Sequence, residues 1–343
     1  MPRSSLLDNR ILIFDKKGMR IKRVQVNGFI VSLLTAIIIA YFFPEGSELL
    51  HVHEITNIGI GFIFFFYGLK LSFKEVKQGL SNYRLHILVQ CSTFILFPLI
   101  VLACKPLLES GIGNMLWIGL FFLAVLPSSV SSSVVMVSLA RGNVPGAIFN
   151  ATISGLIGVV VTPVWLGMVV QEVGNVSFLD VFVKLLIQII IPITLGLFLN
   201  KKFGGIAAKR KNWISNFDKT IIVLIVYSSF SNSFISHLFR DMEWTHFVFL
   251  YVAVLVLFFG VMFIVYMLAK KVLKFTVEDR ITALFCGSKK SLVHGSVMVN
   301  VMFGATPQGS LFIIPVMLYH ISQILIIAVI AEKMAKRKEI AIG

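Results

Sequence analysis

The chain has few charged residues for its length, and this scarcity already decides its class. Only 14% of the 343 residues are Asp, Glu, Lys or Arg, whereas 57% are apolar. A soluble domain usually carries about 25% charged residues, so a soluble fold is excluded. Apolar runs of bilayer length recur along the sequence without the alternation of barrel strands, and they predict an all-α membrane protein.

Cysteines are scarce, and carboxylates are missing from the centres of the apolar runs. Glu54, Glu172 and Asp180 lie at the ends of apolar runs, and no Asp or Glu falls at the centre of one. A carboxylate proton relay or a carboxylate-based cation site is therefore not expected. Three cysteines in apolar segments predict no disulfide framework.

Enzyme motifs are absent as well. The sequence has no His-Glu-x-x-His, Gly-x-Ser-x-Gly or P-loop motif and no Cys/His spacing typical of metal ligands. We predict no catalytic site, no metal site and no cofactor. A Ser–Lys hydrolase dyad at Ser288 or Ser291 is an alternative that no second motif supports.

The apolar runs divide the chain into ten predicted transmembrane helices within a single membrane domain, residues 1–343. Each is close to the roughly 17–25 residues that a bilayer requires. The predicted helices are 28–43, 55–71, 85–104, 114–139, 145–169, 178–199, 220–238, 246–269, 281–303 and 311–331. The longest polar segments are the first 25 or so residues and the 20 or so after Asn200.

Basic residues are distributed very unevenly between the predicted loops. The formal charge is +15, and 26 of the 31 Lys and Arg residues lie in alternate loops and both termini. The opposite loops contain only Lys105 and Arg240. The positive-inside rule then places the N-terminal segment 1–27 and the tail 332–343 in the cytoplasm. The basic charge reflects topology in the inner (plasma) membrane, so the bilayer and not nucleic acid is the expected partner.

An internal repeat is indicated by matches at one offset of 162 residues. The tripeptide Val135-Met136-Val137, followed by Gly142 and Pro145, recurs as Val297-Met298-Val299, Gly304 and Pro307. In a chain rich in Val and Gly, chance is the alternative. Five helices in each of two repeats, 28–169 and 178–331, would give the second repeat an inverted orientation.

The matches align the fourth and ninth helices, and both contain polar interruptions. Pro127 begins a serine-rich stretch in the fourth helix, and Gly287 begins Gly-Ser-Lys-Lys-Ser in the ninth. A pair of broken helices at corresponding positions is a good indicator of a midplane binding site. The candidate substrate- or ion-binding residues are Gln90, Ser131, Ser132, Ser133, Asn150, Thr152, Ser154, Lys289, Lys290, Ser291 and His294.

The two adjacent lysines are the costliest residues of the chain to place in a membrane. Insertion scales assign about 2.5–3.5 kcal/mol to a lysine at a helix centre. Snorkelling to an interface is the structural alternative, but Lys289 lies nine residues beyond Arg280, roughly 13 Å along a helix. In a continuous helix, Lys290 and His294 would share one face while Lys289 points about 100° away. The neutral oxygens of the candidate set can alternatively serve as helix–helix contacts.

These residues together resemble the bile acid:sodium symporter superfamily, and more closely its SBF-like branch related to a eukaryotic member linked to calcium homeostasis. The similarity extends over nearly the whole chain. It is carried by 64–71 (FFFYGLKL), 126–133 (LPSSVSSS), 147–150 (AIFN), 289–291 (KKS), and Tyr319-His320 with Gln323. The resemblance implies ten helices in a panel and a core domain, with helices 4 and 9 unwound where they cross.

The resemblance also implies where sodium would bind, and this chain departs from that pattern. In sodium-coupled members, helix 9 carries a Glu and a Gln-Asn pair, joined by a Gln on helix 3 and by polar groups of helices 4 and 5. Here Phe285 takes the Glu position, Lys289 and Lys290 take the Gln-Asn pair, and Gln90 retains the helix 3 site. We expect the two ammonium groups to replace the sodium ions.

Two functions follow as hypotheses. The first is a secondary transporter of a small organic, anionic solute that works by alternating access without classical sodium coupling. The second is a non-transporting regulator of calcium or ion homeostasis that acts through an unidentified protein partner.

Overall fold

Helices make up nearly all of the chain that the computed structural model describes, which is residues 10–13, 22–25, 28–70, 82–169, 183, 186–237, 240, 243–303 and 309–336. Before the first helix, strands β1 (Arg10–Ile13) and β2 (Lys22–Gln25) pair antiparallel, with Arg10 opposite Gln25. This short hairpin is the one departure from the all-α prediction within the described residues.

The helices of the first half follow the predicted runs closely, apart from a division in the fourth. One of them, α4, contains a π-helical turn at Ser92–Leu96. The helices are α1 (Gly28–Phe42), α2 (Gly46–Leu49), α3 (Val52–Lys70), α4 (Tyr83–Ala103), α5 (Lys105–Val125), α6 (Val130–Leu139) and α7 (Val144–Val169).

The second half shows the same kind of division in its ninth predicted run. A π-helical turn at Leu186–Ile190 leads into α8, and another ends α10. The helices are α8 (Ile191–Lys209), α9 (Lys211–Ile235), α10 (Trp244–Val272), α11 (Val277–Gly287), α12 (Leu292–Phe303) and α13 (Gly309–Ala335). Gly304 and Pro307 of the repeat matches and Lys184 lie outside the described residues.

Seven described helices are long and apolar enough to cross a membrane, which makes this a multi-pass membrane protein. They are Val52–Lys70, Tyr83–Ala103, Lys105–Val125, Val144–Val169, Ile187–Lys209, Trp244–Val272 and Gly309–Ala335. Three predicted runs do not meet these criteria by themselves: α1 has only 15 residues, α9 begins with a charged and polar stretch, and 281–303 is divided into two shorter helices.

Two predicted boundaries need correction. The segment after Asn200, predicted as a polar connection, is helical almost throughout, because α8 continues to Lys209 and α9 begins at Lys211. The fourth run begins at Lys105 instead of 114, although Gly113 departs from helical geometry with φ 76° and ψ 160°. Glycine tolerates that positive φ, so the chain bends immediately before the predicted start.

The helices pack in two groups. In the first, α3 lies along α8 and α9, and α1 lies along α9. In the second, α5 contacts α4, α7, α10 and α13, while α11 contacts α4, α6, α7 and α10. The groups meet where α9 packs on α12 and α13, and where α3 touches α12.

The closest helix pair is α3 with α8, and two glycines permit it. A Cβ atom on Gly68 would lie 2.2 Å from the carbonyl oxygen of Ile193, and one on Gly196 would lie 2.1 Å from that of Phe65. Small residues allow membrane helices to approach to backbone contact, where packing substitutes for the missing hydrophobic effect.

Replacing Gly68 with Val should therefore separate α3 from α8. We expect Gly68→Val to destabilise the protein by more than the about 1–3 kcal/mol of an ordinary overpacked site, because backbone atoms must move. The matched control is Gly61→Val on the same helix, where a Cβ meets nothing within 4 Å. Thermal unfolding in detergent measures both, and equal melting temperatures for the two variants would contradict this packing.

Candidate functional site

Two helix breaks face each other inside the second helix group. Residues 126–129 separate α5 from α6, and residues 288–291 separate α11 from α12. We call these two segments together the helix crossing. Pro127 lies in the first break, and Gly287 is the last residue of α11 before the second. The Ser128 hydroxyl donates to the Cys286 carbonyl at 2.7 Å, and the Ser291 N–H donates to the Pro127 carbonyl at 2.9 Å.

Main-chain carbonyls at the end of α5 have lost their helical donors and find others. Pro127 has no N–H for the carbonyl of Leu123, which instead accepts from Leu126 N–H at 3.3 Å. The Val125 carbonyl accepts from the Thr162 hydroxyl at 2.7 Å. The carbonyls of Ala124 and Leu126 then require a donor from another helix, since water is scarce in the bilayer interior.

A third carbonyl without a helical donor comes from α4. Its π-helical turn directly precedes Phe97-Pro98, and the Phe97 N–H bonds the Ser92 carbonyl. Because the next residue is a proline, no N–H follows in register for Thr93. The neighbouring Phe94 carbonyl accepts from the indole N–H of Trp165 at 2.9 Å.

The Lys290 ammonium supplies the donor for all three carbonyls. Its Nζ lies 2.8 Å from the Thr93 oxygen, 2.6 Å from the Ala124 oxygen and 2.8 Å from the Leu126 oxygen. Three N–H groups of an ammonium match three acceptors, whereas a neutral amine would leave one carbonyl without a donor. The Phe97 ring lies 4.1 Å from the same nitrogen, which adds a cation–π contact.

The main chain of the second break is held by α13. Gln323 accepts from the Lys290 N–H at 3.0 Å and donates from Nε2 to the Lys290 carbonyl at 2.8 Å. The Tyr319 hydroxyl donates to the Ser288 carbonyl, and the Ser92 hydroxyl donates to that of Gly287 at 3.0 Å. The unwound segment is therefore held by three side chains, two from α13 and one from α4.

Lys289 differs from Lys290 because no hydrogen-bond acceptor among the described residues contacts its side chain. Its side chain is fully buried, and within the described part of the chain its Nζ has no hydrogen-bond partner. The titratable groups that interact with it electrostatically are Cys286 and His320. A buried ammonium without a partner is costly, and an anionic ligand beside Lys289 would relieve that cost.

The expected shared face of Lys290 and His294 is wrong, because Lys290 lies in the break and His294 lies in α12. Ser291 precedes that helix, and its Oγ accepts from the His294 N–H at 3.3 Å and lies 3.0 Å from His294 Nδ1. This is the geometry of an N-terminal helix cap. The imidazole then packs edge-on against Phe64 and Tyr67 of α3, at the meeting of the two helix groups.

Four more candidates, Gln90, Asn150, Thr152 and Ser154, make separate polar contacts. Gln90 donates from Nε2 to the Asn150 carbonyl at 3.1 Å and to Asn150 Oδ1 at 3.3 Å, while its buried Oε1 has no partner among the described residues. Ser154 Oγ accepts from the Ser128 N–H at 2.9 Å. Thr152 contributes its main-chain carbonyl to the Tyr67 hydroxyl at 2.8 Å.

The serine run of α6 is less uniform. Ser132 donates to Ser129 Oγ at 2.9 Å, and the side chain of Ser131 lies outside the described atoms. Ser133 is fully buried, and within the described residues its Oγ has no partner. The unpartnered polar atoms of Ser133, Gln90 and Lys289 are the ones of this set available to a ligand.

Several residues of this site were missed by the sequence prediction. Tyr319 and Gln323 entered it only through the family resemblance, and Ser92, Thr93 and Phe97 did not enter at all. The one available signal was Pro98, which removes an N–H within an otherwise regular helix. For the hydrolase alternative, Ser288 donates instead to the Leu284 carbonyl at 2.6 Å. Among the described residues, no three His, Cys, Asp or Glu side chains come together as metal ligands.

Comparison with known proteins relates the sequence of this chain to a transporter family. The model of the SBF-like CPA transporter family matches residues 27–336. YfeH of Escherichia coli, which is named as a symporter, is 32% identical over 94% of this chain and 96% of its own length. Sodium/bile acid cotransporter 7 of Danio rerio is 29% identical over 89% and 93%. An uncharacterized protein of Pseudomonas aeruginosa is 37% identical over 92% and 95%.

The two lysines should respond oppositely to removal of their charge. Lys290→Met leaves three buried carbonyls without a donor, and we expect a destabilisation of about 3 kcal/mol or more. Lys289→Met removes an unpaired buried cation, and we expect unchanged or higher stability. Thermal unfolding of the purified variants at one pH measures both. Equal losses for the two variants would contradict the distinct environments of the two ammonium groups.

Proposed function

Because the chain belongs to the SBF-like CPA transporter family, we propose that it is a secondary carrier for a small organic anion that operates without sodium. The observation that carries this proposal is the Lys290 ammonium among three main-chain carbonyls. Oxygen ligands of this kind suit a small hard cation. Here the cation is covalently attached to the chain, so it cannot be exchanged with solution. In this proposal it is mainly the Lys290 ammonium, and less the Lys289 ammonium, that replaces the sodium ions bound by other members of the family.

The preference for an anion rests on Lys289. Its ammonium is buried beside the helix crossing with no anionic neighbour among the described residues, and Gln90 and Ser133 add unpartnered polar atoms. A carboxylate or similar acidic group of a solute would supply the missing counter-charge and would relieve the cost of burial. Loss of this ammonium should therefore weaken solute binding more than it weakens the fold.

Alternating access requires two bodies that move against each other, and the helix packing offers them. We infer that α1, α3, α8 and α9 form the panel domain and that the remaining long helices form the core domain around the crossing. The solute would bind between them, near His294, Phe64 and Tyr67. The small contact of α3 with α12 is compatible with sliding of one group past the other.

Ten membrane crossings in two inverted repeats, 28–169 and 178–331, complete the proposed architecture. In its support, the helices resume after the two breaks at Val130 and Leu292, which keep the offset of 162 residues found in the sequence. α1, α9 and the divided pair α11 and α12 would add three crossings to the seven. The distribution of Lys and Arg supports a location in the inner (plasma) membrane with both termini in the cytoplasm.

Sodium independence can be tested without knowing the solute. Replacing choline by sodium at constant ionic strength should not change the melting temperature of the wild-type protein. Lys290→Asn vacates the three carbonyls, and a sodium ion that fills them should stabilise this variant by about 1.4 kcal/mol at ten times its Kd. Lys289→Gln is the matched control and should not respond. A sodium response of the wild type would refute the proposal.

Transport itself can be tested in proteoliposomes by counterflow of a panel of labelled carboxylates and sulfonates, with neutral and cationic solutes as comparison. We expect exchange of an acidic solute by the wild type and at least a tenfold higher half-saturation for Lys289→Gln, about 1.4 kcal/mol of lost binding. Lys201→Gln, an exposed lysine of α8, is the control. Silence of the wild type across the whole panel would refute the carrier and favour the regulator.

A further inference from the structure

Gln323, which holds the main chain of the second break, also contacts His320. It lies on α13 one turn before Gln323, and only 8% of its surface is exposed. Gln323 Nε2 lies 3.1 Å from His320 Nδ1, and the same amide contacts both the N–H and the carbonyl of Lys290. One side-chain amide therefore connects an imidazole to the main chain of the second break.

The orientation of the Gln323 amide is fixed by chemistry. A main-chain N–H can only donate and a main-chain carbonyl can only accept, so Oε1 faces the Lys290 N–H and Nε2 faces the Lys290 carbonyl. Nε2 has a second hydrogen, and its remaining neighbour is His320 Nδ1. That nitrogen must accept the hydrogen bond, which places the proton of the neutral imidazole on Nε2.

In this tautomer only Nδ1 can bind a further proton, and Nδ1 already accepts a hydrogen bond from Gln323. A second proton must attach to Nδ1, the nitrogen that accepts from Gln323. Two N–H groups would then point at each other, so the Gln323 amide must leave or rotate. If it rotates, its NH2 group faces the Lys290 N–H instead. In either case the main chain of Lys290 loses at least one of its two hydrogen bonds.

We propose that His320 is a proton-binding site of this carrier and that its protonation releases the second helix break from α13 through Gln323. The proton would then be the coupling ion of a protein whose sodium position is occupied by a lysine. This inference rests on the proposed carrier function.

Phe29 links His320 to a groove that is open to water. Phe29 of α1 packs edge-on against the imidazole, with ring centroids 6.5 Å apart, and it lines an open groove of about 420 Å³. The groove is open, and Ser32, Asn216 and Lys219 add polar groups to its wall, so water can reach the Phe29 ring.

Lys289 is the charged group in the described structure that acts on His320 from the crossing. Two cations side by side repel, so an empty site disfavours a proton on His320. An anionic solute at Lys289 would reverse this effect. Proton and solute anion would then each favour the binding of the other, which is the thermodynamic requirement of a proton–anion symporter.

The first experiment measures thermal unfolding of the purified protein between pH 8 and pH 5. His320→Asn keeps an acceptor oxygen for Gln323 but cannot take up a proton. We expect the melting temperature of the wild type to fall on acidification by a few degrees more than that of His320→Asn. His237→Asn, an exposed histidine with φ 54° that asparagine tolerates, should follow the wild type. Identical pH profiles for His320→Asn and the wild type would overturn the proton site.

The second experiment separates this inference from the carrier function. Proteoliposomes containing a pH-sensitive dye report proton movement while a labelled organic acid reports solute movement. We expect the number of protons moved per solute to be at least tenfold lower for His320→Asn than for the wild type or His237→Asn. Solute movement without protons in the wild type would overturn the proton coupling alone. No solute movement in any protein would overturn the carrier function, and the pH profile of unfolding would still decide the proton site.

Discussion

The hydrogen bonds of the Lys290 ammonium are the interaction on which the crossing depends. Two broken helices within a bilayer expose carbonyls that neither water nor lipid can satisfy, and a break survives only if the protein supplies a donor for each. Most of those donors are hydroxyl, indole and amide groups, each serving one or two carbonyls. Among the described residues, Lys290 alone serves three, from α4, α5 and the first break, and thereby joins the two halves of the chain at a single nitrogen. Its position in turn requires Gln323, which holds the Lys290 main chain, and the π-helical turn before Pro98, which directs the Thr93 carbonyl towards it.

A tethered cation and a free ion stabilise the same carbonyls with different consequences. A sodium ion that leaves its site takes its charge away, so the occupied and empty sites differ in stability and the difference can drive a conformational cycle. Lysine stays with the chain, so its charge cannot leave the crossing as a free ion does. The proposed carrier must therefore draw its driving force from other groups. The groups at or beside the crossing that can change their charge include Lys289, which meets no partner in the described structure, His294, whose Nδ1 lies 3.0 Å from Ser291 Oγ, and His320, which meets the amide of Gln323.

The sequence predicted the helical class and the positions of both breaks, because proline, serine and lysine within bilayer-length apolar runs are costly in any arrangement. It did not predict which of the two lysines contacts the main-chain carbonyls and which has no partner. Their adjacent positions suggested two faces of one helix, but Lys290 lies outside the helices, and which ammonium reaches the carbonyls depends on distances to α4 and α5. The contacts of Gln323 could not be predicted either, since a glutamine in an apolar helix is most often a simple interhelical contact. The count of ten spans could not be recovered from the length and composition of the described helices either, because three of the predicted runs are short, polar at one end or divided.

The helix crossing, residues 126–129 and 288–291, contains no carboxylate, so the protein supplies no counter-charge within it. An empty site contains one fixed ammonium at Lys290 and a second, unpaired one at Lys289, with His320 neutral beside it. Reorienting this empty site would move unpaired charge through a low-dielectric interior, which is expensive. An acidic solute cancels the charge at Lys289, and the proton that then becomes favourable on His320 loosens the second break. Lys289 and His320 would in this way link the binding of the solute to the release of the second helix break. The proton that binds to His320 restores the positive charge that the solute cancels, so the loaded and the empty site carry the same net charge and differ in whether the Lys289 ammonium is paired.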